Sequence, residues 1–412
     1  MEENKTIEQN IQPKWGAVYS IALSVAGLII AEFLPASLLT PMASDLGVSE
    51  GTVGQAISVT AAVAMIASLF TALLTQRIDR RWVLISFSVL LMLSNLIVAY
   101  SPNLFILLIG RVLLGIGIGG CWGMMAATAM RLVPKNLVPK ALSIIFGAVS
   151  VATVIAAPLG SFLGMHIGWR NVFLITAVIG VVAFIWQLRS LPSMPSGGAS
   201  KLSSLFRIFD RPKIRPGMTA TFFVFMSYAI FFSYLRPFLE NITNVHGNTL
   251  TLVLLAFGIA NFFGATFSRY PLQWNIHRSL VLAALFMGIS VLGLMLFGEL
   301  TLIAVVLVSL WGLFFGVVQV GWTDWLTRTV PDEAESAGGV QIAIIQLSIT
   351  IGASAGGLTY DIAGTNGIFI FSTLCALAAS FVAMLGFRTK VITLKPKPTT
   401  QCNDILMHRF DK

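Results

Sequence analysis

Twelve long apolar blocks decide what this chain can fold into. They lie near 16–42, 50–76, 82–100, 103–130, 139–165, 170–189, 216–240, 248–268, 278–297, 300–327, 338–360 and 366–387. Two of the clearest, GAVYSIALSVAGLIIAEFLPASLLTPM (16–42) and LTLIAVVLVSLWGLFFGVVQVGW (300–322), exceed the roughly 20 residues a helix needs to cross a hydrocarbon core. Lipid offers the backbone no water partner, so such blocks form helices or a closed barrel. Barrel strands would alternate over ~10 residues, a pattern absent here. The blocks are helices. Charged residues make up only 10% of the chain, against roughly 25% in soluble domains, too few to cover a soluble surface.

An even number of spans puts both termini on one side. That side collects 23 of the 26 Lys and Arg residues; Arg170 falls on the other, and Arg111 and Arg236 fall inside spans. By the positive-inside rule the loaded side is cytoplasmic, which accounts for the net charge of +9 without a nucleic-acid partner. The first 15 residues are polar, and the first block is too long for a signal h-region, so it reads as an uncleaved span. Cys121 and Cys375 lie in spans and Cys402 in the tail, which implies no disulfide framework.

The loop at 191–215 is rich in Pro, Gly, Ser and basic residues and divides the spans six and six. The predicted organisation is a cytoplasmic segment (1–15), a six-helix bundle (16–190), a cytoplasmic linker (191–215), a second six-helix bundle (216–388) and a cytoplasmic tail (389–412). An internal repeat supports it: at a constant offset of 196, Ile155/Ile351, Ala157/Ala353, Gly160/Gly356, Gly168/Gly364 and Phe173/Phe369 coincide in the fifth span of each half.

Three stretches resemble the major facilitator superfamily. LLIGRVLLGIGIGG (107–120) matches its buried Arg with a glycine ladder, through Arg111, Gly115, Gly117 and Gly119. APLGSFLG (157–164) is similar to the Pro-Gly motif of its proton-antiporting exporters, through Pro158, Gly160 and Gly164. In the loop ALLTQRIDRRWVL (72–84), Arg77, Arg80 and Arg81 fit the superfamily's gate-loop motif, but Gln76 replaces its Asp and Ala72 and Asp79 replace its glycines. The chain looks most like the arabinose-efflux-like subgroup, in AEFLPASLLTPMASDLGVSEG (31–51), KALSIIFGAVSVATVIAAPLGSFLG (140–164) and YLRPFLE (234–240). The resemblance implies an all-α membrane protein of twelve transmembrane helices in two six-helix bundles. It also implies proton-coupled export by alternating access, with purine ribonucleosides such as inosine and guanosine as cargo. Sugar or multidrug efflux on the same scaffold is the alternative. A receptor or membrane enzyme fits poorly, because no His, Asp or Cys constellation is present.

Charges inside spans are costly and functional by default. Glu32 and Arg111 lie at matching depths, roughly 15 Å and 12 Å from the non-cytoplasmic ends of spans one and four at 1.5 Å per residue. The resemblance implies that spans 1, 4, 7 and 10 line a central cavity, with these two residues across it or side by side. Glu32 is then the candidate proton carrier, biased by Arg111; a static ion pair is the plainer alternative. Arg236 is either an i,i+4 partner of Glu240 or a residue at the cavity mouth. Asp324 reads as an interfacial partner of Arg328. Helical spacing brings Arg111, Gly115 and Trp122 to one face, and likewise Trp311, Phe315 and Trp322 with Gln319 nearby, and Tyr228, Phe232 and Arg236. Such rings and amides suit a purine and a ribose, although aromatic packing alone explains them equally.

GIGIGG (115–120) formally satisfies G-x-G-x-x-G but lies inside a span, without the strand a dinucleotide site needs. Gly115/Gly119 and Gly160/Gly164 instead permit close helix contact, and Pro158 is expected to kink span five. His166, His246, His277 and His408 show no metal spacing, and no Walker A sequence occurs. No cofactor or metal is expected. The partners are a small solute, protons and lipid, and the chain is expected to work as a monomer.

Overall fold

The structure, a computed structural model, describes residues 12–75, 77–134, 137–195, 211, 214–330 and 334–388. Gln76, linker residues 196–210 and 212–213, and the tail from 389 onward lie outside the described residues.

Span one is α1 (Trp15–Ser37), continued by the short α2 (Leu39–Leu46). Spans two to six are α3 (Glu50–Leu74), α4 (Arg80–Ala99), α5 (Leu104–Leu132), α6 (Val138–Ile167) and α7 (Trp169–Ser190). The second half opens with α8 (Ile214–Ser233) and the short α9 (Leu235–Asn241), followed by α10 (Gly247–Phe267), α11 (Arg269–Phe297), α12 (Thr301–Thr329) and α13 (Ala334–Arg388). Among the described residues 11 helices are long and apolar enough to cross a membrane. The last is two spans, because Gly364 (φ 62°, ψ −157°) breaks α13. The count of crossings is therefore twelve.

The offset of 196 marks the breaks as well as the matches. Gly168, between α6 and α7, has φ 82°; Gly364 turns the chain at the corresponding point of the second half. Both sit in the left-handed region that glycine enters without a Cβ penalty. Leu38, between α1 and α2, has φ −115° and ψ 13°; Tyr234, between α8 and α9, has φ −113° and ψ 13°. Pro41 and Pro237 then stand third in α2 and α9. A proline has no N–H, so each deprives the carbonyl four residues back, Ser37 or Ser233, of its helical donor. The repeat is thus a repeat of backbone geometry.

Three predicted blocks differ. The block 16–42 is split at Leu38 and the block 216–240 at Tyr234. The block that begins near 278 is led by an extra segment from Arg269, set off by non-helical Asn275 (φ −160°, ψ 100°). Pro158 does not interrupt its helix, since α6 runs as one element from Val138 to Ile167. What it does is strip Val154 O of a donor, and Gly258 of α10 packs on that carbonyl; a Cβ there would come within 2.5 Å of it. The two halves approach closely at this contact.

Small residues set the other helix contacts. A Cβ on Gly115 would lie 2.5 Å from Thr60 O, and one on Gly119 would collide with the Ala64 carbonyl, so α5 rests on the α3 backbone. Gly160 and Gly164 make room on α6 for side chains instead, those of Ser37 and Leu38. Gly119→Ala is expected to destabilise the protein by about 1–3 kcal/mol, seen as a lower unfolding temperature in detergent. An unchanged midpoint would mean that α5 and α3 separate freely.

Candidate functional site

Between the halves lies a cavity of about 810 Å³. It extends from Ala36 and Ser233 in the interior to Thr327, Gly338 and Leu142 near the end where the termini lie. The opposite end is closed. Among the described residues five hydrogen bonds join the halves there: Arg236 to Ser37 O, Thr40 Oγ1 to Glu240 Oε2 (2.6 Å), Tyr360 OH to Glu50 Oε2 (2.6 Å), Ser49 Oγ to Asp361 Oδ2 (3.1 Å) and Ser354 Oγ to Gln55 Oε1 (3.1 Å). The cavity is open on the side of the termini and shut on the other.

Arg236 serves this closure and does not line the cavity. Its Nε donates to Glu240 Oε1 at 2.9 Å, the i,i+4 pair expected, while its other arm reaches Ser37 O, the carbonyl orphaned by Pro41. Arg236→Met removes both bonds at once. It is expected to raise the fraction of molecules open at this end several-fold, measured as spin-label distances between α2 and α9; an unchanged distribution would count against the seal.

Arg111 is 1% exposed and sits behind α1 rather than across the cavity from Glu32. Its Nη1 donates to Ala31 O at 2.8 Å, Nε to Ala56 O at 3.3 Å, and Nη2 to Glu32 O at 3.5 Å. The first of these has a cause in the sequence. Pro35 stands inside α1 without an N–H, so Ala31 O has no partner four residues on, and the guanidinium supplies one. No ion pair forms between Arg111 and the Glu32 carboxylate. That carboxylate faces the cavity, with the side chain of Gln346 directed at it from α13.

The other acidic group lining the cavity is Asp324, which Arg328 holds through two bonds of 2.8 and 2.7 Å. Glu32 is thus the unpaired cavity carboxylate among the described residues. One wall beside it is aromatic. Tyr228 stacks on Phe315 (centroids 4.0 Å, 3°) and on Phe232 (5.4 Å, 16°), and Phe33 of α1 meets Phe232 edge-on across the seam at 5.3 Å.

The predicted cavity residues divide into two groups. Trp122, Tyr228, Phe232, Phe315 and Gln319 line it. Trp311 (0% exposed) backs the stack from behind, 5.6 Å from Phe315, and Trp322 (1%) packs on Trp325 at 5.4 Å. Neither reaches the cavity. Helical phase put them on the right side of α12, but α8 and α10 cover the Trp311 ring, whose contacts run to Tyr228, Phe231 and Phe257. Sequence reasoning missed Gln341 and Gln346, both 4% exposed and both lining the cavity; a buried glutamine in a span is the signal that could have found them.

In the gate loop the organising residue is Asp79. It caps α4, accepting from Arg81 N (2.8 Å), Met194 N (2.8 Å) and Ser193 Oγ (2.5 Å). Desolvation pushes its carboxyl upward, but those three bonds and the Arg81 charge outweigh it and hold the group below its ordinary value. Arg81 in turn donates to Leu188 O at 2.8 Å, and Arg80 N to Met194 O at 3.1 Å. The loop after span two is therefore tied to the chain leaving span six, while Arg77 is exposed. An Asp before a helix that opens Arg-Arg-Trp is a readable N-cap signal.

Twelve spans, two repeated halves and a central cavity open at one end define a membrane transporter, not an enzyme. The model of the Major Facilitator Superfamily matches residues 21–353, and the chain belongs to that family. Over 381 residues it is 49% identical to the purine ribonucleoside efflux pump NepI of Escherichia coli (strain K12), covering 92% of this chain and 96% of that protein. The NepI protein of Shigella flexneri matches to the same extent. Among solved structures, the D-xylose-proton symporter shares the fold, with a TM-score of 0.75 at 14% identity over 90% of this chain and 97% of that one.

Proposed function

We propose that this chain is a proton-coupled exporter of purine ribonucleosides, inosine and guanosine among them, working as a monomer in a bacterial inner membrane with both termini cytoplasmic. The observation that carries the mechanism is Glu32, the one cavity-lining carboxylate among the described residues that has no ion-pair partner, set between an aromatic wall and buried amides in a cavity of about 810 Å³, within the size range of small-molecule sites. A carboxylate at that position can bind a proton or leave the site charged, and the stacked rings offer a flat face to a base. The 49% identity to a purine ribonucleoside efflux pump supports the cargo. The concentration of basic residues on the side of the termini supports the orientation. With that orientation, the cavity faces the cytoplasm, where an exporter loads.

The cycle follows from the two ends. Cargo enters from the cytoplasmic side, the seam bonds around Arg236, Glu240 and Tyr360 part, and the halves rock to expose the site outward. Protonation of Glu32 from outside then accompanies the return. Efflux of labelled inosine from loaded cells, with and without an uncoupler, tests this reading. Inosine efflux no faster than in cells lacking the protein would remove the cargo; efflux insensitive to the uncoupler would remove the proton.

A further inference from the structure

Glu32 and its aromatic wall explain a proton and a ring, but not how one base is told from another. The cavity holds a feature that the cycle above leaves unused. Gln346, on α13, is 4% exposed, lines the cavity, and its Oε1 has no hydrogen-bond partner. A buried amide oxygen without a donor is uncommon and calls for a missing partner. Its polarity is fixed by its neighbour. In the ionised form, the one that loads cargo, the Glu32 carboxylate only accepts, so the NH₂ end of Gln346 is the end that answers Glu32, and the carbonyl end is left for a ligand.

We propose that Gln346 is a specificity-determining residue, whose side-chain carbonyl accepts a hydrogen bond from a ring N–H of the cargo. This rests on the nucleoside reading above. Within that class the N–H is found at position 1 of a 6-oxopurine. Adenine carries a bare lone pair at that position, which would face the Gln346 oxygen acceptor to acceptor. The aromatic wall places the ring plane, and Gln346 reads its edge. Gln341, one and a half turns earlier on α13, adds a donor, because its Nε2 is also unpartnered. It suits a carbonyl or hydroxyl oxygen elsewhere on the same ligand.

The test pairs an altered ligand with an altered residue. Binding of inosine and of 1-methylinosine is measured on the purified full-length protein in lipid nanodiscs, for the wild type and for Gln346→Met, which keeps the volume and removes the amide. The wild type is expected to prefer inosine by on the order of tenfold, the cost of leaving one buried acceptor unpaired. In Gln346→Met that preference is expected to vanish, because inosine falls to the level of its methylated analogue. A variant that keeps the full preference overturns the assignment, since the discrimination then comes from bulk alone. A wild type that binds the two ligands equally overturns it as well, and this arm needs no variant to fold. A wild type that binds neither, while exporting some other solute, brings down the nucleoside reading itself, which is a distinguishable failure.

Discussion

Arg111→Met is expected to cost about 3 kcal/mol of stability, and Pro35→Ala in the same chain is expected to return a large part of it. The guanidinium at this site feels the charge of Glu32 but makes no contact ion pair with it. It is spent on backbone carbonyls, and the shortest of its bonds, 2.8 Å to Ala31 O, exists because Pro35 cannot supply the helical N–H. Removing the arginine strands Ala31 O in an apolar interior. Alanine at 35 restores the donor four residues on and relieves that part of the penalty. The bonds to Ala56 O and Glu32 O are not restored, so recovery is partial. Unfolding midpoints in detergent for the wild type, both single variants and the double variant give the coupling directly, expected between about 0.5 and 3 kcal/mol and favourable for the double variant. Strict additivity of the two substitutions would show that Arg111 and Pro35 do not share a carbonyl. Arg111→Lys should not rescue either, since one ammonium cannot span carbonyls on two helices as the planar fork does.

The same pairing shows where sequence reading succeeded and where it stopped. The twelve spans, the basic side and the offset of 196 were legible because each depends on local chemistry: apolar length, charge, and residues that must turn or pack closely. Even so, the breaks at Leu38 and Tyr234 needed the backbone to be seen. Depth along a span was legible too, and it brought Glu32 and Arg111 to one level. What depth could not say is which way each side chain turns. Arg111 turned to the α1 backbone, and Pro35, three residues beyond Glu32, was the clue. Trp311 and Trp322 mark the same boundary. Helical phase is a property of one helix, whereas lining a cavity depends on which neighbours cover that face, and α8 and α10 cover Trp311. Asp79 differs in kind. Compared with a family pattern it looked like a lost glycine, yet read as an N-cap it explains why the loop meets Ser193 and Met194.

Glu32→Gln is expected to separate movement of cargo from movement of protons. Glutamine keeps the size of the side chain and a face that Gln346 can bond, so the cavity and its aromatic wall persist. It cannot release a proton. Asp324, the other acidic group lining the cavity, is already held by Arg328 through two bonds, so no second free carboxylate among the described residues takes over. Uphill, proton-driven efflux should therefore fall on the order of 100-fold, the upper range of a coupling free energy between two ligands. Exchange of labelled for unlabelled cargo across vesicles without a proton gradient should continue, because rocking of the halves requires the five seam bonds to part and Glu32 makes none of them. Coupling also predicts a signature at equilibrium: cargo affinity of the wild type changes with pH, since proton and cargo compete for influence over one site, whereas that of Glu32→Gln does not. The reciprocity is obligatory, because whatever free energy the proton exerts on cargo binding the cargo exerts on proton binding. Uphill efflux by Glu32→Gln that still collapses on adding an uncoupler would place the coupling group elsewhere. The closed end supplies other carboxylates for such a group: Glu240 bonded to Arg236 and Thr40, Glu50 to Tyr360, and Asp361 to Ser49. None of the three lines the cavity that holds Glu32, so a proton carried there would act on the gate and not on the cargo.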